Sequence, residues 1–140
     1  LSYSDFNKFN FISAETYKQK IINEKNYDIV NKLSINKKVL VDAYVPFDSS
    51  NKNIKKYGHL MLNHAIVDKF DPEILIINSS ETELLLDKNE KDKYSLDTFY
   101  TNYEERYNFY EKLYYENNFN YQNKRWKLIY KDKIIIWEIK

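Results

Sequence analysis

Hydrophobic positions change period several times along the chain, and each change predicts an element. Tyr17, Ile21, Ile22, Ile29, Val30 and Leu33 fall at helical spacing, broken near Asn26, and predict one buried stripe on a helix beginning at Ala14. Ser13 stands where an N-cap belongs, and Glu15 places a carboxylate in the first turn, complementing the helix dipole. Ahead of it, Leu1 to Ile12 has no clear period and reads as a short strand or an extended arm. Val39 to Val45 is closed by Pro46, and within it Val39 to Val41 is a continuous apolar run of strand formers, the pattern of a strand covered on both faces. Asp48 to Lys56 is polar and reads as a loop. Leu60 to Phe70 reads as a helix with Leu62, Ile66 and Phe70 on one face, stopped by Pro72.

Ile74-Leu75-Ile76-Ile77 is a second doubly covered strand, running out into Asn78-Ser79-Ser80. Glu81 to Asp97 is charged and loop-like, interrupted by Leu84-Leu85-Leu86. A helix from Ser95 or Asp97 to Asn117 carries Tyr103, Tyr107, Tyr110 and Tyr114 on one face. Trp126–Tyr130 and Ile134–Ile139, joined by Lys131-Asp132-Lys133, read as an antiparallel hairpin. The order helix, strand, helix, strand, helix, hairpin predicts a small three-layer α/β sandwich. Its sheet is expected to be mostly parallel, with helices on both faces and the hairpin at the C-terminus.

Composition narrows the chemistry. With 140 residues the chain is one domain, large enough for a single core. It has no cysteine, which excludes disulfides, thiol nucleophiles and Cys-based zinc sites. Its one glycine, Gly58, leaves no room for a glycine-rich phosphate loop or a nucleophile elbow. Lys+Arg is 22 and Asp+Glu 21, so the whole chain has no electrostatic pull toward nucleic acid or an anionic membrane. Lys, Asn, Ile and Tyr are favoured together, which fits the drift of an AT-rich genome. No apolar run is long enough to span a bilayer. The sequence opens on Leu1 rather than Met, as expected of a piece cut from a longer chain or of a processed product.

Five constellations invite a functional reading. Asp42, Tyr44, Asn78 and Ser80 lie at or just past the carboxyl ends of the two central strands, where open α/β sheets bind ligands. In the plainer alternative Asp42 and Asn78 cap helices or satisfy loop backbone. The tyrosine stripe offers a stacking platform, or simply a helix face packed on the sheet with its hydroxyls at the rim. His59, His64 and Asp68 supply too few ligands for a metal and read as a solvated helix surface. Glu138-Ile139-Lys140 after an aliphatic strand, with Asp132 upstream, matches the pattern of metal-dependent PD-(D/E)xK nucleases, although an edge strand with alternating polar residues explains it better. Asn78-Ser79-Ser80 also fits the N-glycosylation acceptor pattern, a chance match in such a chain.

A resemblance goes further. Lys38-Val39-Leu40-Val41-Asp42-Ala43-Tyr44-Val45-Pro46-Phe47 resembles the first strand of the soluble C-terminal domain of bacterial polytopic membrane glycosyltransferases of the GT-C superfamily, relatives of protein mannosyltransferases. Phe70-Asp71-Pro72-Glu73-Ile74-Leu75-Ile76-Ile77-Asn78 is similar to their second strand. Phe109 to Leu113, Trp126 to Tyr130 and Ile134 to Trp137 are similar to their closing helix and hairpin. The resemblance covers residues 13–140. It implies an extracytoplasmic accessory domain at the cell membrane, excised from a larger protein that transfers sugar from a polyprenyl-phosphate donor. The catalytic carboxylate of such enzymes lies in their transmembrane portion, so the resemblance assigns no catalytic residue, metal or cofactor to this chain. The partners it implies are that transmembrane portion and an acceptor glycan or peptide, with no nucleic acid. The crevice at Asp42, Tyr44, Asn78 and Ser80 shows no positive cluster and suits an acceptor better than a polyprenyl phosphate. A free-standing interaction module remains a further alternative.

Overall fold

The computed structural model describes residues 3–87 and 103–140, the side chains of 3–13 and 15 excepted. Ten elements follow in order: α1 (Tyr3–Leu33), β1 (Val39–Val41), β2 (Ile54–Lys56), α2 (His64–Phe70), β3 (Ile74–Asn78), α3 (Ser79–Leu86), α4 (Tyr103–Tyr115), β4 (Asn118–Tyr121), β5 (Lys124–Lys131) and β6 (Ile134–Ile139). The six strands form one open sheet in the order β2-β1-β3-β6-β5-β4.

β1 and β3 pair in parallel, Val39 against Ile74 and Val41 against Ile76, as their two-sided apolar runs predict. Alternation splits the core. Leu40, Leu75, Ile77, Ile135, Trp137 and Ile139 face a cluster that includes side chains of α2, α3 and α4. Val39, Val41, Ile74, Ile76, Ile134 and Ile136 face Val30, with Ile29 and Leu33 beside it, on α1. The α/β class and the helices on both faces therefore hold.

The sheet is not mostly parallel. Only β1–β2 and β1–β3 pair in parallel, whereas β3–β6, β6–β5 and β5–β4 are antiparallel. The cause is local: two-residue connections join β4 to β5 and β5 to β6, and connections so short force adjacent antiparallel strands. The first carries Gln122 and Asn123 at φ 49° and 63°, the paired positive-φ geometry of a tight hairpin. Two strands went unread, β2 inside the polar stretch 48–56 and β4 before the expected hairpin.

The N-terminal region departs further. Helix α1 already runs from Tyr3, so residues 3–12 are not an extended arm and Ser13 lies inside a helix instead of capping one. A helix of 31 residues is about 46 Å long, far longer than strands of 3–8 residues. The sheet therefore accommodates only its last turns. Tyr17 (65%) and Ile21 (47%) are exposed, and the buried stripe shrinks to Asn26 and Val30 with Ile29 and Leu33 at its edge.

Two helices differ in extent. α2 starts at His64, where the Asn63 carboxamide accepts the Ile66 N–H at 3.0 Å, and stops at Asp71, a left-handed cap before Pro72. Ser79–Leu86 is helical, not loop, because Asn78 caps it and Thr82, Leu85 and Leu86 bury against the core. The expected start of the last helix at Ser95 or Asp97 lies outside the described residues; its end at Tyr115 falls two residues short of Asn117.

Candidate functional site

The chain leaves β1 for β2 on one side and returns through α2 to β3 on the other, so the carboxyl end of the parallel pair β1–β3 is a topological switch point, where open α/β sheets form their ligand crevice. The Asp42 N–H donates to the Ile76 carbonyl at 2.9 Å, carrying the ladder one residue past β1. Asn78 closes the β3 side: its carboxamide oxygen accepts the Glu81 N–H at 3.0 Å, and its nitrogen donates to the Tyr44 carbonyl at 3.1 Å.

Asp42 is buried, at 2% exposure. One carboxylate oxygen accepts the Ala43 N–H at 2.9 Å and the other accepts the Tyr110 hydroxyl at 2.6 Å, while the Leu60 N–H also bonds the carboxylate. Tyr110 in turn accepts the Leu62 N–H at 3.1 Å. Burial pushes the Asp42 pKa from the ordinary 3.8 up to about 7, against the opposing pull of these donors. Burial, then the charge and hydrogen bond of Asp42, raise Tyr110 well above its usual range, so the phenol remains the donor.

The outer layer is Tyr44, His59, Ser80 and Glu81. Tyr44 sits at φ 67° and is 63% exposed. Its ring meets the His59 imidazole edge-on, centroids 5.0 Å apart. His59 Nε2 stands 3.3 Å from a Glu81 carboxylate oxygen, while its Nδ1 is buried without a hydrogen-bond partner among the described residues. Burial lowers the His59 pKa and Glu81 pulls the other way. Ser80 is exposed in the first turn of α3.

The four residues read from sequence thus meet at one end of the sheet, but they divide. Asp42 and Asn78 spend their hydrogen bonds inside the protein, the plainer of their two readings, and Asn78 is committed to capping. Tyr44 and Ser80 face out. Sequence reasoning missed His59, Glu81 and Tyr110. The tyrosine stripe does pack on the core, yet the Tyr110 hydroxyl lies beneath the crevice and not at a rim. A carboxylate in the first turn after a capping Asn was the available signal for Glu81.

His64 is not on a solvated surface either. It is half-buried, stacks on Tyr121 at 4.1 Å and meets Phe109 edge-on at 4.8 Å, because β4 folds back over the start of α2. Burial, then the Lys112 charge, lower its pKa. Nor does the structure bring the nuclease residues together. Asp132 lies in the β5–β6 turn and Glu138 six residues along β6, about 20 Å away. Glu138 instead pairs with Lys37 at 3.4 Å and Lys140 at 3.3 Å. Burial works to raise its pKa, and the bonds and charges of these two lysines outweigh it and leave it lowered. Among the described residues no group of three His, Cys, Asp or Glu is placed to hold a metal.

No family model, curated protein or solved structure matches the chain. Among the described residues no helix is long and apolar enough to cross a membrane.

Proposed function

We propose that the chain is a non-catalytic extracytoplasmic accessory domain of a membrane glycosyltransferase-like protein. In this reading its crevice binds an acceptor glycan, or a loop of the parent protein's transmembrane portion, and performs no chemistry on it. The observation that carries the reading is the division of the site. Asp42, the one buried acid among the described residues, is saturated by internal donors and faces away from solvent. The exposed groups, an aromatic face at Tyr44, a hydroxyl at Ser80 and a carboxylate at Glu81, suit sugar hydroxyls and ring C–H faces.

Titration of the labelled chain with acceptor glycans, and separately with peptides copied from the parent's membrane loops, tests this by NMR. Saturable shifts clustered at Tyr44, His59, Ser80 and Glu81 are expected, with no glycosyl transfer by the chain alone. The reading fails if millimolar ligand moves none of these four, or if the purified chain turns over a polyprenyl-phosphate sugar.

A further inference from the structure

On the α1 side of the sheet, α1 covers Ile134 and Ile136 of β6, and among the described residues no helix packs on β4 or on the part of β5 from Arg125 to Lys127. Alternation fixes which side chains stand on this face. Trp126, Trp137, Ile139, Phe119 and Tyr121 pack with the α2–α4 cluster, so their neighbours Arg125, Lys127, Glu138, Lys140, Asn118 and Asn120 project from the opposite face. Register sets these six in two rows. Asn120 lies opposite Arg125, and Arg125 exchanges backbone hydrogen bonds with Lys140 at 2.8 and 3.0 Å. Asn118 lies opposite Lys127, and Lys127 opposite Glu138. Of the six, only Glu138 is not fully exposed.

The charge on this face is lopsided. Glu138 already serves Lys37 and Lys140, and among the described residues Arg125 and Lys127 have no ion-pair partner. Four cations therefore meet one carboxylate, in a chain whose net charge is only +1. Like charges in neighbouring positions of a sheet work against it, and only the cross-strand pair Lys127–Glu138 sets opposite charges against each other here. The surface is also concave: depressions of ≈ 150 and ≈ 440 Å³ adjoin and share Arg125 and Lys140.

We propose that this face binds a phosphate-bearing ligand. A guanidinium, ammonium groups and the carboxamides of Asn118 and Asn120 together present many N–H donors, the match for an oxyanion with several acceptor atoms and more than one charge. The site lies at the amino end of β3, where Glu138 pairs with Ile74, and the crevice of Asp42 lies at the carboxyl end. It is independent of the accessory-domain reading, and either can fail without the other.

The probes are inorganic pyrophosphate and phosphatidylglycerol vesicles, added at low salt to the full chain, with phosphatidylcholine vesicles as control. Saturable NMR shifts at Asn120, Arg125, Lys127 and Lys140 with pyrophosphate identify a soluble phosphate compound. The same shifts with phosphatidylglycerol alone identify a lipid headgroup. With either probe, Arg125→Gln/Lys127→Gln, both exposed positions, weakens binding by about 10-fold or more. Glu138→Gln, which removes the competing carboxylate, tightens it severalfold, a gain that general damage to the sheet does not produce. The proposal is overturned if neither probe binds at millimolar phosphate, if the double variant binds as the parent does, or if Glu138→Gln weakens binding.

Discussion

Replacing Tyr110 by Phe removes one oxygen from the core and leaves two partners bereft. Asp42 loses the 2.6 Å donor to one carboxylate oxygen, and the Leu62 N–H loses its 3.1 Å acceptor. Tyr110 is fully buried and Asp42 nearly so, and water does not restore either bond. An orphaned buried amide costs about 1–3 kcal/mol, and a charged acceptor costs more. The loss for Tyr110→Phe is thus about 2 kcal/mol where Asp42 is protonated and about 3–5 kcal/mol where it is ionised. The sign of the pH dependence follows from the raised pKa. In the unfolded chain Asp42 ionises near 3.8, whereas folded it holds its proton to about 7. Its burial is therefore harmless below pH 4, opposes folding increasingly up to pH 7, and then levels off at about 4 kcal/mol. Urea unfolding at pH 5 and pH 8 should show a larger deficit for Tyr110→Phe at the higher pH. Asp42→Asn, which cannot ionise, should gain on the parent protein as pH rises across that window, while the other carboxylates cancel in the difference. A Tyr110→Phe deficit that is equal at both pH values or below about 1 kcal/mol, or parallel stability curves for the parent and Asp42→Asn, would refute the buried acid–phenol pair.

Two further outcomes check the frame around that pair. Val41→Ala and Ile76→Ala, at fully buried positions on opposite members of the β1–β3 pair, should each cost about 1–4 kcal/mol through the cavity left behind, measured by denaturant midpoints. At Tyr44, Gly relieves the left-handed backbone and Ala does not, so Tyr44→Gly should be the more stable variant by about 1 kcal/mol while both lose the ring contact to His59; equal stabilities would remove the strain argument.

The parts of the fold legible in the sequence are those where burial on two faces leaves a continuous run. β1 and β3 are such runs, and their parallel pairing follows from them; β6 is a third, but it reads as an alternating edge strand and lies instead inside the sheet between β3 and β5, a placement no local pattern gives. Elements with one wet face were harder. β4 alternates Asn with aromatics, and its turn uses Gln122-Asn123 without a glycine, so no turn signal marks it. β2 is three residues long with two exposed lysines, below what any period resolves. Helix α3 was hidden by its own charges, since Glu81 and Glu83 sit on its solvated side while Thr82 and Leu85 face in. The long α1 hid differently: Tyr17 and Ile21 lie on the predicted stripe but are exposed, and among the described side chains of this helix only those from Asn26 onward reach the core.

The crevice was legible only at its strand-borne half. Strand order places Asp42 and Asn78 by a general rule of open sheets, but His59, Leu60 and Tyr110 arrive through a loop and a helix whose approach no local pattern encodes. What the structure adds is where backbone strain gathers. Among the described residues, five other than glycine have positive φ: Tyr44, Leu60, Asp71, Gln122 and Asn123. Asp71 ends a helix and the last two make a hairpin turn, positions where polar side chains tolerate that geometry. Tyr44 and Leu60 have no such excuse, and both border Asp42, one two residues along and the other through its N–H bond to the carboxylate. A chain with a glycine at position 58 has placed bulky residues in the left-handed region at 44 and 60 instead. At Leu60 the side chain is wholly buried, so packing accounts for it; at Tyr44 the ring is mostly in solvent, so packing does not. A strained backbone under an exposed aromatic ring, at the carboxyl end of the parallel strands, is the observation that supports the ligand surface proposed there.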